Sequence, residues 1–269
     1  MEITQSSEVF VRLGFFVGVF MAMALLEGAF PRRTRQVSRV NRWPSNIAIS
    51  LLNQGVIRLC LPATAVALAM LGERQGWGLF AQLTLAPWVE ILAAVLLFDL
   101  VIYWQHRLYH VVPVLWRFHR MHHADTEFDV TTGIRFHPLS VLLSAAIKLG
   151  AVVLLGPAPL AVLIFEVLLN ATSLFNHSNF AVSQSFDRAL RLLVVTPDMH
   201  RVHHSSNPDE TNRNFGFNFP WWDRMFRSYR AQPARGHQEM EVGLATFRQQ
   251  PECRLDRMLT QPFRSGSEA

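Results

Sequence analysis

Ile91-Leu-Ala-Ala-Val-Leu-Leu-Phe-Asp99-Leu-Val-Ile-Tyr-Trp104-Gln-His106-Arg-Leu-Tyr-His110 is an apolar stretch that ends in two imidazoles. It closes a longer run, Leu79 to Trp104, whose only charged residues are Glu90 and Asp99. As a helix rising about 1.5 Å per residue, such a run crosses a hydrocarbon layer of about 30 Å. In that helix His106 and His110, four residues apart, share one face. The chain therefore reads as a membrane-spanning α-helical protein with ionisable side chains where one helix meets water.

The rest of the sequence supports that class. Half of the 269 residues are apolar and 17% are charged, against about 25% in soluble domains. This excludes disorder and collagen-like structure. Cys60 and Cys253 are too few and too far apart for a disulfide framework or a Cys-x-x-Cys site. The net charge of +5 lies in short segments beside apolar runs, which suits a membrane protein and not a nucleic-acid binder. Three further runs are Phe10–Phe30, Ile47–Leu71 (broken by Arg58 and Pro62) and Leu139–Phe175. The segment before the first run is acidic rather than basic, and no convincing small-x-small cleavage site precedes Pro31, so the run reads as a retained anchor rather than a signal peptide. The last is too long for one crossing and breaks at Gly156-Pro157-Ala158-Pro159, a hairpin tip. Five crossings are expected. The loop after the first run carries Arg32, Arg33, Arg35, Arg39 and Arg42, whereas the loop at Gly72–Gly78 carries only Glu73 and Arg74. The positive-inside rule puts the Arg-rich loop in the cytoplasm and the amino terminus outside. The third run then ends at the cytoplasmic face, and everything after His177 is cytoplasmic. Both histidine clusters fall on that one face, an outcome independent of the histidines themselves.

Those clusters are His106-x-x-x-His110 with His119-x-x-His122-His123, and His177 with His200-x-x-His203-His204. At a histidine frequency of roughly 0.04, one H-x-x-H-H arises by chance in about 2% of such chains. In each H-x-x-H-H the first histidine shares a helix face with both later ones. The two adjacent ones point about 100° apart and can serve different ions. His106, His110, His119, His122, His123, His177, His200, His203 and His204 are too many ligands for one ion and suit two. Imidazole fits Fe, Zn, Cu or Ni. So many clustered imidazoles would repel on protonation unless a metal kept them neutral.

Other polar residues have competing roles. His137 reads equally as a ligand, a support for one, or a helix-entry residue. Asp99 reads as an acceptor for an imidazole N–H or an interfacial charge. Asp125 and Asp198 read as supporting carboxylates or helix caps. Asn176 is a further candidate beside His177. His237 reads as an exposed tail residue, and Lys148 and Glu166, inside the hairpin arms, have no assigned role.

From about residue 95 to 230 the sequence resembles the fatty acid hydroxylase / sterol desaturase superfamily of integral-membrane di-metal oxygenases. The resemblance rests on Asp99…Tyr103-Trp104-x-His106-Arg107-x-x-His110 and Leu115-Trp116-x-Phe118-His119-x-x-His122-His123. It continues through Arg135-x-His137-Pro138, Asn176-His177-Ser178 and Thr196-Pro197-x-x-His200-x-x-His203-His204. It ends with Asn214-Phe215-Gly216 and Trp222-Asp223-Arg224-Met225-Phe226. Where family members often continue Phe-Gly-Thr-Tyr, this chain has Phe226-Arg227-Ser228-Tyr229. The resemblance implies two iron ions (zinc being an alternative occupant) that activate O2 to oxidise a C–H bond of a lipid: a fatty acyl chain, a sterol or a related molecule. Electrons would come from a separate electron-transfer protein, since the chain has no Gly-x-Gly-x-x-Gly and no cysteine cluster.

The expected fold class is all-α: a polytopic membrane helical bundle with a histidine-rich di-metal helical domain on the cytoplasmic face, in the cell's inner (plasma) membrane. Residues 1–94 would form anchoring helices. Residues 95–230 would form the catalytic domain with the membrane hairpin at 139–175, and residues 231–269 a polar tail. Hydroxylation is the leading reading of function, with desaturation as its alternative. A di-zinc membrane hydrolase is a second enzyme class, and a metal transporter or sensor is the non-enzyme reading. No nucleic-acid partner is expected. The substrate lipid and the oligomeric state stay open.

Overall fold

The structure, a computed structural model, describes residues 5–265. The first four and last four residues, at the ends of the expected anchor and tail, lie outside them. The described residues are helical with no strand; isolated bridges join Pro31 to Phe180 and Ser205 to Val242. The long helices are α1 (Gln5–Ala29), α2 (Arg39–Cys60), α3 (Ala65–Gln75), α4 (Pro87–Val111), α5 (Pro113–His123), α6 (Pro138–Leu155) and α7 (Pro159–Asn176). Short helices follow: α8 (Gln184–Leu190), α9 (Pro197–His203), α10 (Pro208–Thr211), α11 (Trp221–Met225), α12 (Gly236–Glu239) and α13 (Leu255–Thr260).

Five segments among the described residues are long and apolar enough to cross a membrane: α1, α2 with α3, α4, α6 and α7. The second of these segments is broken. Pro62 cannot donate into a helical ladder, so α2 stops at Cys60 and Thr64 restarts the chain as the N-cap of α3, accepting from Ala67 N. The α6–α7 turn packs on the α3–α4 connection. Leu79 N donates to Leu154 O at 3.0 Å, and Ala158 N to Glu90 Oε1 at 2.8 Å. Gly156 has φ +59, and a Cβ there would sit 1.8 Å from Trp77 O, so only glycine allows the approach. The histidines and the Arg-rich loop lie at the opposite end. The 18 residues of α6 separate the two ends by about 27 Å.

Between the ends, α4 and α7 pack through Phe98 and Phe165, stacked at 5.0 Å, with Ala94, Val95, Ala161 and Val162 around them. Lys148 and Glu166 pair with each other, and Glu166 also meets Arg12 at 2.9 Å. These intramembrane charges therefore tie α1, α6 and α7 together. The expected polar tail is instead folded onto the bundle. Met240, Val242, Cys253 and Met258 are buried, and Met258 packs with Ile49 and Met121. Apolar residues spaced too irregularly to show a period made this segment read as polar.

Candidate metal centre

The histidines converge because of how their helices end. Pro113 opens α5 directly after Val112, the last cap of α4, so α5 folds back and sets His119 and His123 against His106 and His110. Thr196 caps α9, accepting from Met199 N, and Pro197 occupies its first turn. His177 sits at the C-terminal cap of α7. The result is two groups, each offering one nitrogen per residue with those nitrogens all within 4.8 Å of one another. His106, His110, His119, His123 and His203 form one; His122, His177, His200 and His204 form the other. Each adjacent pair, His122/His123 and His203/His204, divides between the groups. All but His110 are buried, and His110 is half-buried.

Ring orientation is set by backbone carbonyls. His106 Nδ1 donates to Phe215 O (2.8 Å), His122 Nδ1 to Arg135 O (3.2 Å), His177 Nδ1 to Ser173 O (2.7 Å) and His203 Nδ1 to Arg213 O (2.7 Å). A carbonyl can only accept, so each of these neutral rings keeps its Nε2 as a bare lone pair. His122 Nε2 and His177 Nε2 then face each other at 3.2 Å with no proton between them, and His200 Nε2 lies 3.1 Å from His177 Nε2. Facing lone pairs repel unless a cation lies among them. With metal–nitrogen bonds of about 2.1 Å, neighbouring ligands in octahedral or tetrahedral geometry stand about 3.0–3.4 Å apart, which matches. In the other group His203 Nε2 and both nitrogens of His110 are buried without a partner. The donor set fits two metal ions.

Electrostatics agree. Burial first, then mutual repulsion, pushes the pKa values of His119, His122, His123, His200 and His204 well below the ordinary range. Burial takes His177 to about 3. At neutral pH these imidazoles are uncharged, the form that binds metal.

The other candidates lie elsewhere. Asp99 accepts from Asn218 N, Phe219 N and Trp222 Nε1, so it anchors the 218–222 loop and no imidazole. Asp125 takes a bidentate contact from buried Arg42 at 2.7 and 2.6 Å. Burial alone would raise its pKa, but Arg42 and Arg135 hold it at about 2. Asp198 pairs with Arg32 and Arg201. Asn176 donates to Phe217 O. His137 belongs to neither group; it caps α6 through Leu139 N and bonds Leu259 O. His237 is buried, not exposed, 3.5 Å from Asp198 Oδ2. Of the Arg-rich loop, Arg42 pairs with Asp125 and Asp129, Arg39 with Glu27, and Arg32 with Asp198. Asp223 accepts from Phe215 N and Gly216 N at 2.8 Å each. It thereby holds the peptide whose carbonyl orients His106. Its spacing from Phe215 and Gly216 was visible, but no sequence pattern says which carboxylate accepts from which backbone.

A bundle of membrane-length helices with two clusters of buried imidazoles at one end defines a class: helical membrane proteins equipped to bind metal. Residues 91–228, half of the chain, match the fatty acid hydroxylase family, and the chain belongs to it. It is 32% identical over 145 residues to the ornithine lipid hydroxylase OlsE of Rhizobium tropici, covering 54% of this chain and 43% of that protein. It is 26% identical over 152 residues to alkylglycerol monooxygenase of Homo sapiens, covering 55% and 32%. It is 32% identical over 148 residues to cholesterol 25-hydroxylase of Rattus norvegicus, covering 54% and 48%. The match thus spans less than half the length of these relatives. No solved structure matches.

Proposed function

We propose that this protein hydroxylates a C–H bond of a membrane lipid with O2, using two iron ions held by His106, His110, His119, His123 and His203 and by His122, His177, His200 and His204. The observation that carries the reading is the pair of imidazole groups with lone pairs turned inward. The bound iron pair supplies the O2 activation that an unactivated C–H bond requires. The chain's own groups hold and enclose it. The carbonyls of Phe215, Arg135, Ser173 and Arg213 fix four rings with Nε2 inward. Aromatic rings exclude water: Phe136 stacks on His122 at 4.3 Å, Phe215 lies 5.2 Å from His110, and Phe128 lies 5.1 Å from His204. The centre faces the cytoplasm of the inner membrane, where a separate protein delivers two electrons per turnover. The names of the lipid hydroxylases and monooxygenases it resembles support a lipid substrate.

Metal analysis, followed by incubation with isotopically labelled O2, a reductase system and a lipid extract, tests this. Two irons per chain and label in a lipid product are expected. A new double bond without label indicates desaturation. No O2 uptake by iron-loaded protein across a broad lipid panel, with a competent electron donor, rejects the oxygenase reading in favour of hydrolysis.

A further inference from the structure

Among the segments outside the membrane-length helices that leave large apolar side chains bare, two lie against each other. Phe186, Leu192 and Leu193 are exposed on and after α8, and Trp221 and Met225 on α11. The segments are pinned together. Trp221 Nε1 donates to Leu192 O at 2.7 Å, Arg224 Nη2 to Arg191 O at 3.0 Å, and Val195 N to Asn218 O at 3.0 Å. The five side chains therefore belong to one unit, and apolar surface of this kind marks an interaction site. Its exposed charge has one sign. Arg188, Arg224 and Arg227 are exposed and have no acidic partner among the described residues, while the two acids, Asp187 and Asp223, are buried. Arg227 stands at φ +58, a left-handed conformation that glycine adopts freely and other residues at a cost of about 1 kcal/mol.

The position of this unit along α4 says what covers it. Trp222 Nε1 donates to Asp99 Oδ2 at 2.9 Å, and Asp99 lies twelve residues, about 18 Å, up the helix from Val111. Phe226 meets Trp104 at 4.8 Å, about 10 Å up from Val111. Phe217 and Phe219 pack on the apolar core between the membrane helices, and Trp221 stacks on Phe219 at 4.7 Å. The unit thus stands beside the part of α4 that runs through the bilayer, not below it. From this geometry, and resting on the reading of α4 as a membrane helix, we propose that residues 184–193 and 219–227 form a collar. It is embedded in the interfacial layer of the leaflet on the histidine side, and Arg188, Arg224 and Arg227 bind anionic lipid headgroups. Exposed apolar side chains, a tryptophan and arginines without acidic partners are what such a layer accommodates.

The test uses the full chain in vesicles of phosphatidylcholine and phosphatidylglycerol, with Cys60→Ser removing the exposed thiol. A fluorophore is attached in turn at Leu193→Cys, Met225→Cys, Leu92→Cys on the lipid-facing surface of α4, and Asp209→Cys on the exposed side of α10. Quenching by a lipid spin-labelled near its headgroup is compared with quenching by iodide. Positions 193 and 225 should be quenched several-fold more by the lipid than position 209, and shielded from iodide. Iodide quenching at 193 and 225 as strong as at 209 overturns the collar, and so does shielding from both quenchers, which would mean that a second copy covers the face. If position 92 is also unquenched by lipid, it is the membrane reading of α4 that has failed. Omitting phosphatidylglycerol should weaken lipid quenching at 193 in the Cys60→Ser protein but not in an Arg188→Gln/Arg227→Gln variant. Quenching indifferent to phosphatidylglycerol overturns the role of anionic lipid.

Discussion

Replacing Asp223 with asparagine isolates the support of a single ring. Asp223 Oδ1 accepts from Phe215 N and from Ser228 Oγ (2.6 Å), and Oδ2 accepts from Gly216 N. An amide keeps one acceptor oxygen. In its better orientation it satisfies Phe215 and Ser228 and turns an NH2 toward the Gly216 N–H. One buried backbone donor and one buried amide are then unpaired. At about 1–3 kcal/mol for each orphaned group, with some relaxation, the loss is roughly 2–4 kcal/mol. For a chain of this size that is roughly 4–16 °C in Tm. The Phe215 carbonyl moves with its peptide, so His106 loses the partner that fixes its Nε2, and weakening a ligand's support costs about 10–100-fold in metal affinity. The measurement is metal stoichiometry under a graded chelator, alongside Tm in detergent. The Ser228→Ala variant, which leaves both backbone donors paired but strands the buried Tyr103 hydroxyl that meets Ser228 Oγ at 2.8 Å, should lose about 1–3 kcal/mol and keep its metal. Unchanged metal affinity in Asp223→Asn despite a lowered Tm would refute the positioning role, and an unchanged Tm would refute the hydrogen-bond accounting.

Further expectations rest on other parts of the molecule. His122→Ala and His203→Ala, one from each imidazole group, should each lower the metal content measured by elemental analysis; full loading of both would reject the ligand assignment. His137→Ala should cost about 1 kcal/mol through loss of the α6 cap and leave metal content unchanged; a lost ion would show that His137 is a ligand after all. Asp125, ordinarily at 3.8, is held at about 2 in the folded protein. Its contribution is therefore present above pH ~4 and is lost as pH falls to ~2, about 2 kcal/mol in all. In metal-free protein, Tm against pH should be flatter over that window for Asp125→Asn than for the unaltered chain. Reporter fusions at Gln36 and Gln250 should both read cytoplasmic, and opposite signals would reject the five-crossing scheme.

What the sequence made legible follows from which physical constraints act locally. The bilayer demands continuous apolar length, so the runs, the Gly156-Pro157-Ala158-Pro159 tip and the five segments long and apolar enough to cross could be read directly. Helix geometry places residues three and four apart on one face, so the histidine spacing already suited two ions, with each adjacent pair able to serve different ones. What escaped is long-range and carried by groups that every residue has. Four rings are oriented by backbone carbonyls, which leave no signature in a sequence, and so Asp99, Asp125 and Asp198 were the natural candidates for a task they do not perform. Those carboxylates, with Asp223, act one step further out. Asp99 and Asp223 hold the 215–222 loop, Asp125 receives Arg42 from the first turn of α2, and Asp198 binds Arg32 and Arg201 beside buried His237. In a bundle whose interior is apolar, buried ion pairs join segments far apart in the chain, because an unpaired charge there costs several kcal/mol. Arg32, in the loop before α2, and Arg42, on α2, therefore lock that junction onto the shell around the histidines. A neutral replacement of Arg42 would keep the positive-inside bias of the remaining arginines while leaving Asp125 and Asp129 buried without their cation.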